Sequence, residues 1–265
     1  MSDTEPFATL RDVEVIYDNG THALQPLNID LADDQLTVLL GPSGAGKSTL
    51  LRSLNHLVVP TRGEVRVRGI GVLGERTSLR RHRRETGMIF QQHQLVGRLS
   101  ALRNVLLGRL GHYSPLRTLF PMSAAEQHRA LECLERVGLF EKALVRCDSL
   151  SGGQQQRVGI ARALAQSPRM MLADEPVASL DPAASERVLS LLAEICRLDR
   201  IPVVVSLHQL EYARTFADRI IGLSLGTVVY DGPPQDLTAE VLTQIYGTAT
   251  QAGADPEPPR LVSAG

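Results

Sequence analysis

Gly41-Pro42-Ser43-Gly44-Ala45-Gly46-Lys47-Ser48-Thr49 is the stretch around which the 265 residues are organised. The apolar run Leu36-Thr37-Val38-Leu39-Leu40 leads into it, and Leu50, Leu51 and Leu54 follow at helical spacing. Strand, glycine-rich loop and helix, in that order, make G-x-x-x-x-G-K-[ST] read as a phosphate-binding loop. Gly41, Gly44 and Gly46 let backbone N–H groups turn inward and approach a polyphosphate closely. The helix starting near Lys47 directs its positive dipole end at the same anion. Lys47 is then placed to reach β- and γ-phosphates, and the Ser48 hydroxyl to ligate magnesium. The alternative is a glycine-rich turn with no ligand, and the full match in the right context argues against it.

The composition sets bounds on the rest. A hydrophobic fraction of 43% and a net charge of -1 describe an ordinary globular α/β chain with no global field for nucleic acid or anionic lipid. Cys133, Cys147 and Cys196 are widely spaced and read as reduced core or surface thiols, not a metal set. The N-terminus lacks the basic-then-apolar order of a signal peptide, and no apolar run reaches the ~20 residues that span a bilayer. A membrane role would therefore require a partner. The only lysines are Lys47 and Lys142, every other basic residue being arginine. Lysine kept in the phosphate loop fits a need for a compact ammonium rather than a planar guanidinium.

Taken in order, residues 7–32 alternate apolar and polar, predicting two strands joined across Asp18-Asn19-Gly20. Tyr17 ends the first of these, either as a stacking face for an adenine or as a packed interface tyrosine. Arg80-Arg81-His82-Arg83-Arg84 reads as a solvated helix face, since it is short and lacks interleaved aromatics. Gly87-Met88-Ile89-Phe90 reads as a buried strand with Gln91 at its C-terminal end, the side where ligands gather in open α/β sheets. Residues 95–140 carry helical patterning, and 108–121 reads as an exposed irregular connection.

Ser151-Gly152-Gly153-Gln154 opens the next helix, either as a plain N-cap or as an anion site. Met170-Met171-Leu172-Ala173-Asp174-Glu175 is an apolar strand ending in two carboxylates. Strand alternation is expected to point them apart, so that one holds magnesium and the other addresses the attacking water. Asp181-Pro182 caps a further helix. Val203-Val204-Val205-Ser206-Leu207 ends in His208, a γ-phosphate contact or a structural histidine.

In this order the motifs resemble those of the ATP-binding subunits of ABC transporters, over nearly all of residues 7–246. The resemblance implies an α/β fold: a P-loop NTPase core of ABC ATPase type, an N-terminal antiparallel β subdomain, and an α-helical subdomain inserted at approximately 92–160. Residues 247–265 are expected to form a disordered tail. The stretch 41–49 is similar to the Walker A loop and Met170–Glu175 to the Walker B strand. Leu150–Gln154 is similar to the family signature, Ser179-Leu180-Asp181 to its D-loop, Gln91 to the Q-loop residue, His208 to the switch histidine, and Tyr17 to the adenine-stacking aromatic. An ATPase using ATP and Mg2+ is implied by the resemblance. Glu175, His208 and Gln91 are its implied catalytic residues, and Ser48, Gln91 and Asp174 are set around the metal. It also implies a head-to-tail homodimer, in which Ser151, Gly152, Gly153, Gln154 and Asp181 complete the partner's nucleotide site.

A finer resemblance is to the phosphonate and phosphite importers, carried by Leu95–Ser100, Asn104–Gly111, Ala173–Pro182 and Leu207-His208-Gln209, with a departure at His93. It implies integral membrane permease subunits, a periplasmic phosphonate-binding protein acting indirectly, and a peripheral place on the cytoplasmic face of the bacterial inner membrane. No nucleic acid partner is implied. ABC ATPases serving phosphite, amino acids or lipoprotein release are the alternatives, with a soluble non-transport ABC protein further away. On this reading Leu95, Val96 and Leu99 either meet the permease or pack the subdomain core.

Overall fold

The computed structural model describes residues 5–91, 94–114, 116 and 120–247. Strands β1 (Ala8–Ile16), β2 (His22–Leu31), β3 (Leu36–Leu40), β4 (Arg62–Val67) and β5 (Gly71–Val72) come first; β6 (Thr86–Ile89), β7 (Met170–Asp174), β8 (Val203–Leu207), β9 (Arg219–Ser224) and β10 (Thr227–Gly232) come after them. They form two sheets, ordered β2-β1-β4-β5 and β10-β9-β3-β8-β7-β6. The first is antiparallel, and its apolar residues Leu10, Val13, Leu27 and Val65 are buried while alternate positions face solvent. In the second, every residue of β3, β7 and β8 is buried. Near-continuous apolar runs are what a parallel strand covered on both faces needs.

The register of the second sheet builds the site. Leu40 pairs with Leu207 across β3 and β8, and Asp174 with Ser206 across β7 and β8. Gly41, His208 and Glu175 therefore leave the sheet side by side at its C-terminal edge, where helix N-termini also converge.

Helix α1 (Lys47–Leu54) comes directly after the phosphate loop, and α2 (Arg76–Glu85) precedes β6. Helices α3 (Ala101–Leu107), α4 (Ala124–Arg136) and α5 (Gly152–Leu164) pack on one another between β6 and β7. The later helices are α6 (Pro182–Asp199), α7 (Leu210–Phe216) and α8 (Ala239–Tyr246). All three cysteines are buried. Residues 248–265 of the expected tail, and the departure at His93, lie outside the described residues.

Two expectations change. The connection 108–121 is not exposed throughout: Arg109 is buried, its Nε donating to Glu126 Oε2 at 2.6 Å and its Nη1 to Ala165 O at 2.8 Å. Tyr113 adds its hydroxyl to Glu126 Oε1 at 2.7 Å. A buried ion pair between segments is invisible in composition, because each member alone looks like a surface charge. The arginine cluster does lie on a largely exposed α2, but His82 within it is buried.

His82 Nε2 lies 2.8 Å from Leu54 O, at the end of α1, and Nδ1 lies 3.4 Å from Thr86 Oγ1. Burial lowers its pKa, with smaller lowering from His56 and Arg83. His56 is lowered by burial and by Arg83. A base whose folded pKa lies below its unfolded value makes the unfolded chain take up protons preferentially as pH falls, so stability decreases below about pH 6.5. The urea midpoint should fall between pH 7.5 and 5.5, before carboxylates titrate. His82→Gln should flatten that slope; an unchanged slope assigns the dependence elsewhere.

Candidate functional site

The loop after β3 turns tightly, Ala45 N–H donating to Pro42 O at 3.2 Å. Gly46 stands at the start of α1 with φ 101°. A Cβ there would lie 2.6 Å from Ala23 O, and one at Gly41 would lie 2.3 Å from Leu223 O. Glycine at these two positions is what lets the loop run between neighbouring backbones.

Lys47 is buried, its Nζ donating to Gly41 O at 2.7 Å and Pro42 O at 2.9 Å and lying 3.3 Å from His208 Nδ1. Burial lowers its pKa, while the charges of Glu175 and Asp174 raise it. An ammonium has only protons to give, so His208 Nδ1 accepts and Nε2–H donates to Glu175 Oε1, 2.5 Å away. Lysine, histidine and glutamate thus form one continuous polar chain beside the loop.

The two carboxylates separate for a reason other than strand alternation. Strand β7 stops at Asp174, and Glu175 turns with φ 48° into the left-handed region. That conformation costs a non-glycine residue about 1 kcal/mol or more, and such strain concentrates at functional sites. Ser206 holds the turn: its Oγ accepts from Glu175 N–H at 2.8 Å and donates to Asp174 Oδ1 at 3.0 Å. Ser48 Oγ donates to the same Oδ1 at 2.7 Å, and Arg52 lies 3.6 Å from Oδ2. Ser206 and Arg52 are absent from the sequence-derived set. The available signal for Ser206 was a lone hydroxyl in an otherwise apolar strand.

A cavity of about 330 Å3 opens here, walled by Tyr17, Ala23, Ser43, Ser48, Thr49 and Glu175. Tyr17 is 39% exposed and its hydroxyl lies 3.0 Å from Thr49 Oγ1, so its ring is tied to the loop helix and still accessible. Gln91 lies two residues beyond β6, exposed and outside the cavity wall. The pairing of Ile89 with Ala173 brings it off the sheet beside the end of β7.

Ser151, Gly153, Gln154 and Asp181 line a second cavity of about 230 Å3 that shares no residue with the first. Ser151 Oγ accepts from Gln154 N–H at 3.3 Å, and Gln154 Oε1 accepts from Ser151 N–H at 3.1 Å, a complete capping box. Asp181 Oδ1 accepts from Ala184 N–H at 2.9 Å. A Cβ at Gly152 would lie 3.5 Å from Leu180, and one at Gly153 2.9 Å from the Ala184 Cβ, so α5 and α6 approach closely there. Within one chain the predicted residues that line a cavity therefore fall into two groups, and Gln91 belongs to neither.

The donor set around Asp174 suits magnesium. Ser48 and Asp174 offer hard oxygens, and no group of three or more His, Cys, Asp or Glu able to hold a metal occurs among the described residues. Magnesium is commonly held by one or two carboxylates with substrate phosphates and water supplying the rest.

A family profile described as "ABC transporter" matches residues 24–178. The chain is 58% identical over 253 residues to the phosphite import ATP-binding protein PxtA of Stutzerimonas stutzeri, covering 94% of this chain and 92% of that protein. It is 56% identical over 240 residues to the phosphonates import ATP-binding protein PhnC 1 of Trichodesmium erythraeum, covering 91% and 95%. Among solved structures, the dimeric, post-hydrolysis ATP-binding cassette MJ0796, bound to ADP and Pi, is similar with a TM-score of 0.75. It is 38% identical and covers 86% of this chain and 98% of that one. No helix among the described residues is long and apolar enough to cross a membrane. A phosphate loop, a capped glycine pair and a carboxylate-ended strand in this order, on this fold, make the chain a member of the ABC transporter family and an ATP-hydrolysing cassette.

Proposed function

We propose that this chain drives import of phosphonates through separate membrane subunits, as a peripheral ATPase on the cytoplasmic face of the bacterial inner membrane. The observation that carries this reading is the identity above 50% to phosphonate import proteins over nine-tenths of the chain. Phosphite is the second reading, favoured by the 58% identity to a phosphite import protein. Both are small tetrahedral phosphorus oxyanions, and the transported molecule is selected by other subunits.

In this reading ATP lies in the 330 Å3 cavity, its adenine on Tyr17 and its phosphates along the loop N–H groups and Lys47. Ser48, Asp174 and Gln91 would hold magnesium, which when bound offsets charge on the β- and γ-phosphates. Glu175 accepts a proton from the attacking water, and its carboxylate is aimed by the left-handed turn and by His208. His208 also reaches the γ-phosphate. The cavity at Ser151, Gly153, Gln154 and Asp181 closes over the nucleotide of a second copy, head to tail. Two separate groups in one chain become one site only across such an interface.

The permease docks against residues just after Gln91. Of the three apolar residues expected there, Val96 is exposed, while Leu95 and Leu99 are half-buried and Leu95 packs on the core. The substrate reading is tested with the subunit assembled with its permease and periplasmic binding protein in liposomes. Phosphonate should stimulate hydrolysis several-fold. Stimulation by phosphite alone selects the second reading, and none by either anion rejects both.

A further inference from the structure

We infer that His22, held by the buried carboxylate of Glu14, accepts a hydrogen bond from a ribose hydroxyl of ATP and makes the site prefer ribonucleotide to deoxyribonucleotide. The inference rests on the reading that ATP fills the 330 Å3 cavity. Thr21 and His22 line that cavity together with Tyr17, Ala23 and the phosphate loop. The His22 side chain is half-exposed, and none of the sequence motifs includes it.

The neighbours of His22 fix its place along the cavity. Tyr17 and His22 stand on the two arms of one hairpin, in which Ile16 pairs with His22. Tyr17 N–H donates to Thr21 O at 2.9 Å and Gly20 N–H to Tyr17 O at 2.8 Å, so the turn between the arms is closed. One residue beyond His22, Ala23 O meets the phosphate loop, where a Cβ at Gly46 would lie 2.6 Å from it. Gln25 N–H donates to Gly226 O at 2.9 Å, and Gly226 N–H to Ala45 O at 3.1 Å, which fastens the same strand to the loop. The cavity wall therefore runs from the loop through Ala23 and His22 to Tyr17. A nucleotide with its phosphates on the loop and its base on Tyr17 has its ribose, the link between the two, at His22.

Glu14 selects the form of the ring. Only 10% of its side chain is exposed, and among the described residues His22 is its one ion-pair partner, with Nδ1 3.8 Å from Oε1. Burying a carboxylate without a partner is costly, which draws the imidazole to this side. A carboxylate facing Nδ1 favours the proton on that nitrogen, and the neutral ring then keeps Nε2 as an acceptor. A ribose hydroxyl can donate to Nε2, whereas the C–H of a deoxyribose cannot. Glu14 touches no part of the nucleotide in this arrangement and acts as a positioning residue.

The test is isothermal titration of the full chain at pH 8, without magnesium, using ATP, 2′-deoxy-ATP and 3′-deoxy-ATP as probes. The parent should bind ATP about three- to tenfold tighter than one or both deoxynucleotides, the worth of one hydrogen bond. His22→Ala should lose ATP affinity by that factor and leave deoxynucleotide affinity within about twofold, so that the preference disappears. Glu14→Gln removes the charge and keeps the shape, and should lose part of the preference. The double variant should lose no more than His22→Ala alone, since residues acting through one contact are non-additive. His22→Gln carries a carbonyl oxygen at about the reach of Nε2 and should keep most of the preference, a rescue that loss of packing does not predict. If Glu14→Gln does not fold, Glu14→Met takes its place. Equal affinity of the parent for all three nucleotides, or a preference that His22→Ala retains, overturns the contact. A Lys47→Ala chain that binds ATP as tightly as the parent defeats instead the placing of the triphosphate in this cavity.

Discussion

Glu175→Gln is expected to slow steady-state ATP hydrolysis by ~10² or more, the scale of general-base catalysis, while leaving ATP affinity near that of the parent. The amide keeps the size of the carboxylate and can still meet His208, but it cannot take a proton from water. Backbone geometry is retained as well, because the left-handed turn at residue 175 is held by the main-chain N–H to Ser206 Oγ and not by the side chain. The loss therefore appears in kcat with KM little changed, the pattern of an interaction made in the transition state. A second consequence is accumulation of an ATP-bound dimer, visible as a doubled mass in sedimentation. Hydrolysis within threefold of the parent would remove Glu175 from the role and leave His208 as the next candidate.

Lys47→Ala should abolish the tight phase of ATP binding, with affinity falling by about 10- to 100-fold, the range for losing charge-assisted hydrogen bonds to phosphate. The ammonium lies among Gly41 O, Pro42 O and His208 Nδ1, so its removal also leaves these acceptors short of a donor. Lys47→Arg should recover little of the affinity. The pocket under the loop takes a compact point charge, and a planar guanidinium in a buried position pushes on Gly41 and Pro42. Isothermal titration with ATP checks both variants, and a melting curve confirms that each is folded. Binding by Lys47→Ala as tight as by the parent sinks the assignment of the cavity to the triphosphate.

What the sequence determined by itself is what local pattern encodes. The run Leu36–Leu40, the glycine loop and the helix from Lys47 are contiguous, so their order alone specifies a phosphate cradle, and the structure starts α1 at Lys47. Ser151 and Asp181 are caps legible from their neighbours, and each caps its helix as expected. The apolar strand ending in Asp174 was legible too. Tertiary structure decided how these pieces meet. That Ser206 bridges Asp174 and Glu175, and that Lys47 touches His208, result from parallel pairing of strands far apart in the chain, a register no local pattern states. The turn at Glu175 belongs here as well: a glutamate has no intrinsic preference for positive φ, and it is the hydrogen bond from β8 that stabilises the turn. The buried Arg109–Glu126 pair was hidden for the same reason. A charged side chain reads as solvated until folding brings it a partner, and sequence distance then says nothing about which partner it meets.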